Sequence, residues 1–169
     1  MEMSYLYWEA ETTAKGLLST PASPQLGGAV AEETFVPNRA TLDASNSVVL
    51  EVAKMTPYLD SSLKALGLHV EVRTSFITYW LPSLLKHKHI ALRFLPQSAY
   101  ERAAPLTVEP TPSDVVARIF MLFKGIEETE LGMWSDACER SAVDVSRWAG
   151  RMNDAGLFRV IEWGGREVV

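Results

Sequence analysis

FITYWLPSLLKHKHIALRFLPQSAYERAAPLTVEPTPSDVVARIFMLF, residues 76–123, is the densest apolar and aromatic stretch of the chain. Prolines at Pro82, Pro96, Pro105, Pro110 and Pro112 cut it into pieces the length of single strands or one short helix. Residues 90–95, 105–109 and 115–123 are rich in β-formers and are predicted strands. The short proline-bearing links between them favour antiparallel neighbours. The last piece, VVARIFMLF, is apolar on both faces except at Arg118, the pattern of a central strand covered on both sides. A buried Arg118 needs a partner, because an isolated charge in an apolar setting is costly.

Outward from this stretch, residues 47–53 (SVVLEVA) read as a mostly buried strand. Thr56 is a candidate N-cap with Pro57 at the first helical position, Leu59, Leu63 and Leu66 recur at helical spacing, and Gly67 suits the C′ position; together they predict a helix over 56–66. Val72, Phe76, Ile77 and Trp80 share one face of a second helix over 69–81, and Phe76, Ile77 and Trp80 are expected in the core. Pro82 should end or kink that helix. Toward the N-terminus, residues 4–11 read as a strand, and the Pro-, Gly- and Ser-rich residues 12–41 as a long surface loop pinned by Phe35 and Val36. Toward the C-terminus, Trp134, Cys138, Val145 and Trp148 fall near one helical face over 134–148, and residues 157–163 (LFRVIEW) read as a strand stopped by Gly164 and Gly165.

The expected fold is one α+β domain over residues 1–169. It has a mainly antiparallel sheet of five or six strands, covered on one face by helices at 56–66, 69–81 and 135–149. A chain of 169 residues that is 47% hydrophobic can bury a sizeable core without a second domain. Sixteen basic and twenty-one acidic residues give a formal charge of −5 without a basic stripe, which argues against a nucleic-acid partner. The single cysteine, Cys138, rules out an internal disulfide framework. The start MEMSYLYWEAE lacks the basic and apolar regions of a signal peptide, and no run reaches the roughly 20 apolar residues of a membrane span. The expectation is a soluble cytoplasmic protein with no membrane partner.

Four constellations carry possible chemistry. His87 and His89, two apart on a strand, would point the same way and could share a metal with His69 or a carboxylate as third ligand, but the neighbouring lysines oppose a cation; a basic solvated turn, and no metal, is expected. Cys138 would be a nucleophile only beside a histidine; on the inner face of its helix it reads as a buried structural thiol. Ser62, Ser75 and Ser141 lie in no GxSxG elbow, and no GxGxxG, GxxxxGK[ST] or HExxH motif is present, so no cofactor is implied. Trp8-Glu9 and Glu162-Trp163 are the sharpest pair. A tryptophan beside a carboxylate can stack on a sugar ring and bind its hydroxyls, and two carboxylates on neighbouring terminal strands are the apparatus of glycoside hydrolysis. The plainer alternative is ordinary strand alternation, tryptophan inward and glutamate outward.

FITYWLP (76–82), IALRF (90–94) and PTPSDVVARIFMLF (110–123), with Tyr7-Trp8-Glu9 and the Gly67-Leu68 turn, resemble a family of uncharacterised bacterial and fungal proteins. That family shares an aromatic-Trp-Glu start, an FIxYWLP motif and a PxPD run into an RxFMxF strand. Ser113 departs from the pattern by separating Pro112 from Asp114. The resemblance implies a shared fold and carries over no catalytic residue. The expected function is a non-enzymatic binding module for a small-molecule, glycan or protein ligand using Trp8, Glu9, Glu162 and Trp163. The alternatives are a small hydrolase built on Glu9 and Glu162, and a structural, assembly-forming protein.

Overall fold

A computed structural model of the chain describes residues 6–9, 33, 35–110, 113–140 and 158–168. Their strands form a single four-stranded sheet in sequence order: β1 (Val48–Glu51), β2 (His89–Phe94), β3 (Val115–Ile126) and β4 (Arg159–Glu167). The helices are α1 (Val52–Ala65), α2 (Val70–Leu84), α3 (Gln97–Ala103) and α4 (Ser135–Glu139), with 3-10 turns at Pro37–Arg39 and Glu128–Trp134. The fold is thus α+β, with four strands among the described residues rather than five or six.

β1 and β2 pair antiparallel, as do β2 and β3. β3 and β4 run parallel, with Arg118 opposite Glu162 and Ile119 opposite Trp163. A parallel neighbour needs a long crossover, and the chain from Glu127 to Phe158 supplies one. The pleat then sorts side chains. Val48, Ile90, Leu92, Ile119, Met121 and Phe123 join Met55, Leu59, Leu63, Phe76 and Leu84 of α1 and α2 on one face. On the other face Phe35, Ala99, Tyr100 and Leu122 form one cluster, and Val49, Ala91, Ile126, Trp134 and Ala137 another. Both faces are covered, not one, as the doubly apolar pattern of β3 requires.

Helix ends explain several differences from the sequence reading. α1 closes as expected: Gly67 takes φ 87°, its N–H reaches the Lys64 carbonyl at 3.0 Å, and Leu68 N–H reaches Leu63 at 3.0 Å. Its start is four residues earlier than Thr56, because Val52 N–H is satisfied by the Lys88 carbonyl at 3.0 Å and Met55 is fully buried; Pro57 therefore lies inside the helix. α2 runs through Pro82 to Leu84, where proline removes one hydrogen bond near the end while Leu84 gains complete burial. Phe76 is fully buried, worth about 1.5–3 kcal/mol relative to exposure. Ile77 and Trp80 are half-buried against the same cluster.

Other expectations fail for packing reasons. Residues 105–109 form no strand; Pro105 and Pro110 bracket an irregular, largely exposed segment. α3, unforeseen, instead inserts Ala99 and Tyr100 into the second face. β4 does not stop at Gly164. Phe120 packs over Gly164, and a Cβ at Gly165 would lie 2.8 Å from the Met121 carbonyl and 3.0 Å from the Trp80 ring, so these glycines are close-approach positions inside the strand. Residues 6–9 are not in a strand, and β4 pairs with β3 rather than with the first segment. Residues 4, 5, 10 and 11 of the expected first strand, residues 12–32 and 34 of the long loop, 141–149 of the expected last helix and 157 of the expected last strand lie outside the described residues. Phe35 does pin its own segment to the sheet, its ring centred 5.4 Å from that of Phe120 and 6.4 Å from that of Tyr100.

Candidate ligand-binding site

Strand alternation separates the two halves of the Trp-Glu pair. Glu162 points to the α3 face, where its carboxylate meets Arg118 Nε at 2.5 Å and accepts from the Tyr100 hydroxyl at 3.2 Å. The Arg118 side chain is 1% exposed and that of Glu162 12%. The guanidinium also donates to the Ala104 carbonyl and lies 4.4 Å from the centre of the Tyr100 ring. Burial, and then the Glu162 carboxylate, push the Tyr100 phenol up to about 12, so it remains a donor. This is the partner that a buried Arg118 demanded.

Trp163, one residue on, points to the opposite face. Its ring sits 5.3 Å from Phe76 and 5.8 Å from Tyr79, and Tyr79 in turn meets Trp80 at 5.0 Å. Tyr7 and Glu9 gather at the outer end of this aromatic row. The Tyr7 hydroxyl donates to the Glu9 carboxylate and is hydrogen-bonded to Tyr79. Glu9 first, and Tyr79 second, raise the Tyr7 phenol above its ordinary 10.0. Tyr7 is 63% exposed, Trp8 54% and Tyr79 49%, with Leu6 beside them. The site thus brings together Glu9 and, through Tyr7 and Tyr79, Trp163, with exposed Trp8 between Tyr7 and Glu9 in the chain, and leaves Glu162 on the other side of the sheet in a closed ion pair. Tyr7 and Tyr79 are additional members. Tyr79 sits in the FITYWLP run, and no motif in the sequence marks it as a binding residue.

The histidines are dispersed. His69 caps the start of α2 beside Glu71 at 3.8 Å. His87 lies in the turn before β2, not on the strand; its ring occupies the space over Gly125 and its Nε2 is 2.7 Å from Glu167. His89 is on the other face, in a hollow of about 260 Å³ lined also by Glu51, Lys54, Leu131 and Cys138. Among the described residues no group of three or more His, Cys, Asp and Glu is arranged to hold a metal.

Cys138 is exposed rather than buried: Trp134 and Ala137 fill the inner face of this short helix, turning the next residue outward. Its thiol shares the hollow with His89, yet His89 Nδ1 is buried without a hydrogen-bond partner, so the two do not form a proton-transfer pair. Ser75 returns its hydroxyl to the Glu71 carbonyl at 3.0 Å, Ser62 is buried in α1, and Ser141 is outside the described residues. No helix among the described residues is long and apolar enough to cross a membrane.

No protein-family model, curated protein or solved structure matches the chain.

Proposed function

We propose that this chain is a non-catalytic binding module that holds a ring-bearing ligand, a sugar unit, on Tyr7, Trp8 and Tyr79, with Glu9 and the two tyrosine hydroxyls taking the ligand's hydroxyl groups. The observation that carries this reading is the exposed tyrosine pair Tyr7 and Tyr79 beside the Glu9 carboxylate, with exposed Trp8 next to them in the chain and Tyr79 in ring contact with Trp163 and Trp80. Aromatic groups left in water forfeit about 25 cal/mol per Å² of burial, and a ligand ring laid across them recovers it. Tyrosine and tryptophan also present rigid contact area with few rotatable bonds. The carboxylate-pair hydrolase is disfavoured because Glu162 is committed to Arg118 on the other face of the sheet.

Screening immobilised glycans, followed by tryptophan-fluorescence titration of the best one, tests the proposal. Trp8→Ala and Tyr79→Ala should each weaken binding at least about tenfold, on the scale of aromatic anchors, and Glu9→Gln less. Absence of any saturable glycan binding sinks the sugar reading. A concentration-dependent mass in light scattering that Trp8→Ala abolishes would transfer the same surface to self-assembly. Turnover lost in both Glu9→Gln and Glu162→Gln would revive the hydrolase.

A further inference from the structure

A second, smaller hollow lies beside the end of β4, with a volume of about 170 Å³ and walls of Pro37, Asn38, Ala40, Arg166, Glu167 and Val168. Its distinguishing member is Arg166. The other partly or fully buried arginines end on protein acceptors: Arg73 on Asp60, Arg93 on Glu33, Arg118 on Glu162, and Arg140 on the Ser47 and Ala44 carbonyls. Arg166, half-buried, has no hydrogen bond or ion pair among the described residues. A half-buried arginine whose guanidinium faces an open hollow without a protein acceptor is free to fork an oxyanion.

The neighbourhood fits that role. Among the described residues Glu167 is the one carboxylate in the walls, and it is turned to the opposite face of β4, where it pairs with His87 at 2.7 Å. It therefore contributes backbone to the hollow without neutralising Arg166. Arg166 is in register with Leu122, and Lys124 lies two residues farther along β3 on the same face, also without an ion pair among the described residues. The cluster of Phe35, Tyr100 and Leu122 with Val168 packed against it supplies a low-dielectric flank, which strengthens any charge-assisted bond formed there. The space admits a compact group.

We propose that this hollow is a phosphomonoester-binding site, with Arg166 forking two phosphate oxygens and Lys124 supplying the second positive charge that a dianion requires. The site is independent of the aromatic surface, so either reading can fail alone.

Two-dimensional amide NMR of the full chain, titrated with inorganic phosphate against sodium chloride of equal ionic strength, tests it. Saturable shifts are expected at the amides of Arg166, Val168 and Ala40. R166Q should weaken the apparent Kd at least tenfold, R166K several-fold because the fork is lost while the charge is kept, and K124Q by a smaller factor. Because the Arg166 guanidinium has no hydrogen bond or ion pair among the described residues, R166Q should keep the wild-type thermal midpoint within a few degrees, so loss of binding cannot be ascribed to unfolding. Three results overturn the proposal: shifts that chloride reproduces, a phosphate response that R166Q leaves intact, or acetate binding as tightly as phosphate.

Discussion

Arg118 and Glu162 carry opposite charges into a place where neither is stable alone. Removing one partner of a buried pair leaves the other unsolvated, a loss of about 3–5 kcal/mol, while a well-packed apolar pair is often neutral. Glu162→Ala should therefore lower stability by about that much in chemical denaturation, and the Arg118→Met/Glu162→Leu double variant should recover most of it. Glu9→Ala, at an exposed site, should stay within about 0.5 kcal/mol; equal costs for the two glutamates would contradict their assignment to different faces. That Arg118 needs a partner was legible from VVARIFMLF. Which partner was not, because Glu162 comes 44 residues later and reaches Arg118 only through the parallel register of β3 and β4. A second residue-scale prediction concerns Asp43, whose carboxylate accepts from Ser45 N–H at 2.8 Å and Asn46 N–H at 3.1 Å in the turn leading to β1. The Ser45 hydroxyl above all holds its carboxyl below the usual 3.8. A depressed folded value stabilises above the unfolded one and ceases to as pH falls through the folded one. The stability gap between wild type and Asp43→Ala should therefore be flat from neutral pH down to about 5 and narrow below about 4; a gap that widens in acid would reverse the assignment.

The helical hairpin α1–α2 was legible because apolar spacing and Gly67 speak locally. Its outer boundaries were not, since Pro57 and Pro82 are punctuation marks that tertiary contacts overrode at Val52 and Leu84. α3 has seven residues, too few for a period to emerge, and its two inward side chains acquire meaning only once Phe35 and Phe120 are beside them. The glycines of β4 misled for a related reason: in a single sequence a Gly-Gly pair signals a stop, whereas here the backbone must come close to a ring. Gly165→Ala should accordingly cost about 1–3 kcal/mol, the usual range for overpacking, because its Cβ would meet a backbone carbonyl as well as the Trp80 indole. Gly132→Ala, with nothing within 4 Å, is the control and should be neutral or slightly stabilising. Equal midpoints in urea for the two variants would remove the close-approach account of β4. For the candidate site, the Trp8-Glu9 dipeptide was readable, but Tyr7 and Tyr79 belong to it through a contact between distant segments.

Across the whole molecule, the two chain ends have different standing. β4 lines β3 along nine paired positions from Val115 to Phe123 and supplies Ile161 and Trp163 to one face and Glu162 to the other. Residues 6–9 lie outside the sheet with their side chains largely in water. Deleting residues 158–169 should abolish cooperative unfolding and the near-ultraviolet circular dichroism, whereas deleting residues 1–9 should leave the thermal midpoint within a few degrees and remove only ligand capture. A truncated N-terminus that unfolds would show that the aromatic surface holds the fold together. The rings seated over glycines carry a further consequence, one for descent rather than for stability. His87 fills the place of a side chain at position 125, and Trp80 that at position 165. Each pair is a single shape divided between two distant codons, so neither half can drift alone. In any lineage that keeps this architecture, a side chain at 125 should arise only where the imidazole at 87 has gone, whereas 165 should stay glycine whatever stands at 80, because the Met121 carbonyl blocks it too. His87→Ala should likewise act as a suppressor of Gly125→Ala in a selection for folded protein.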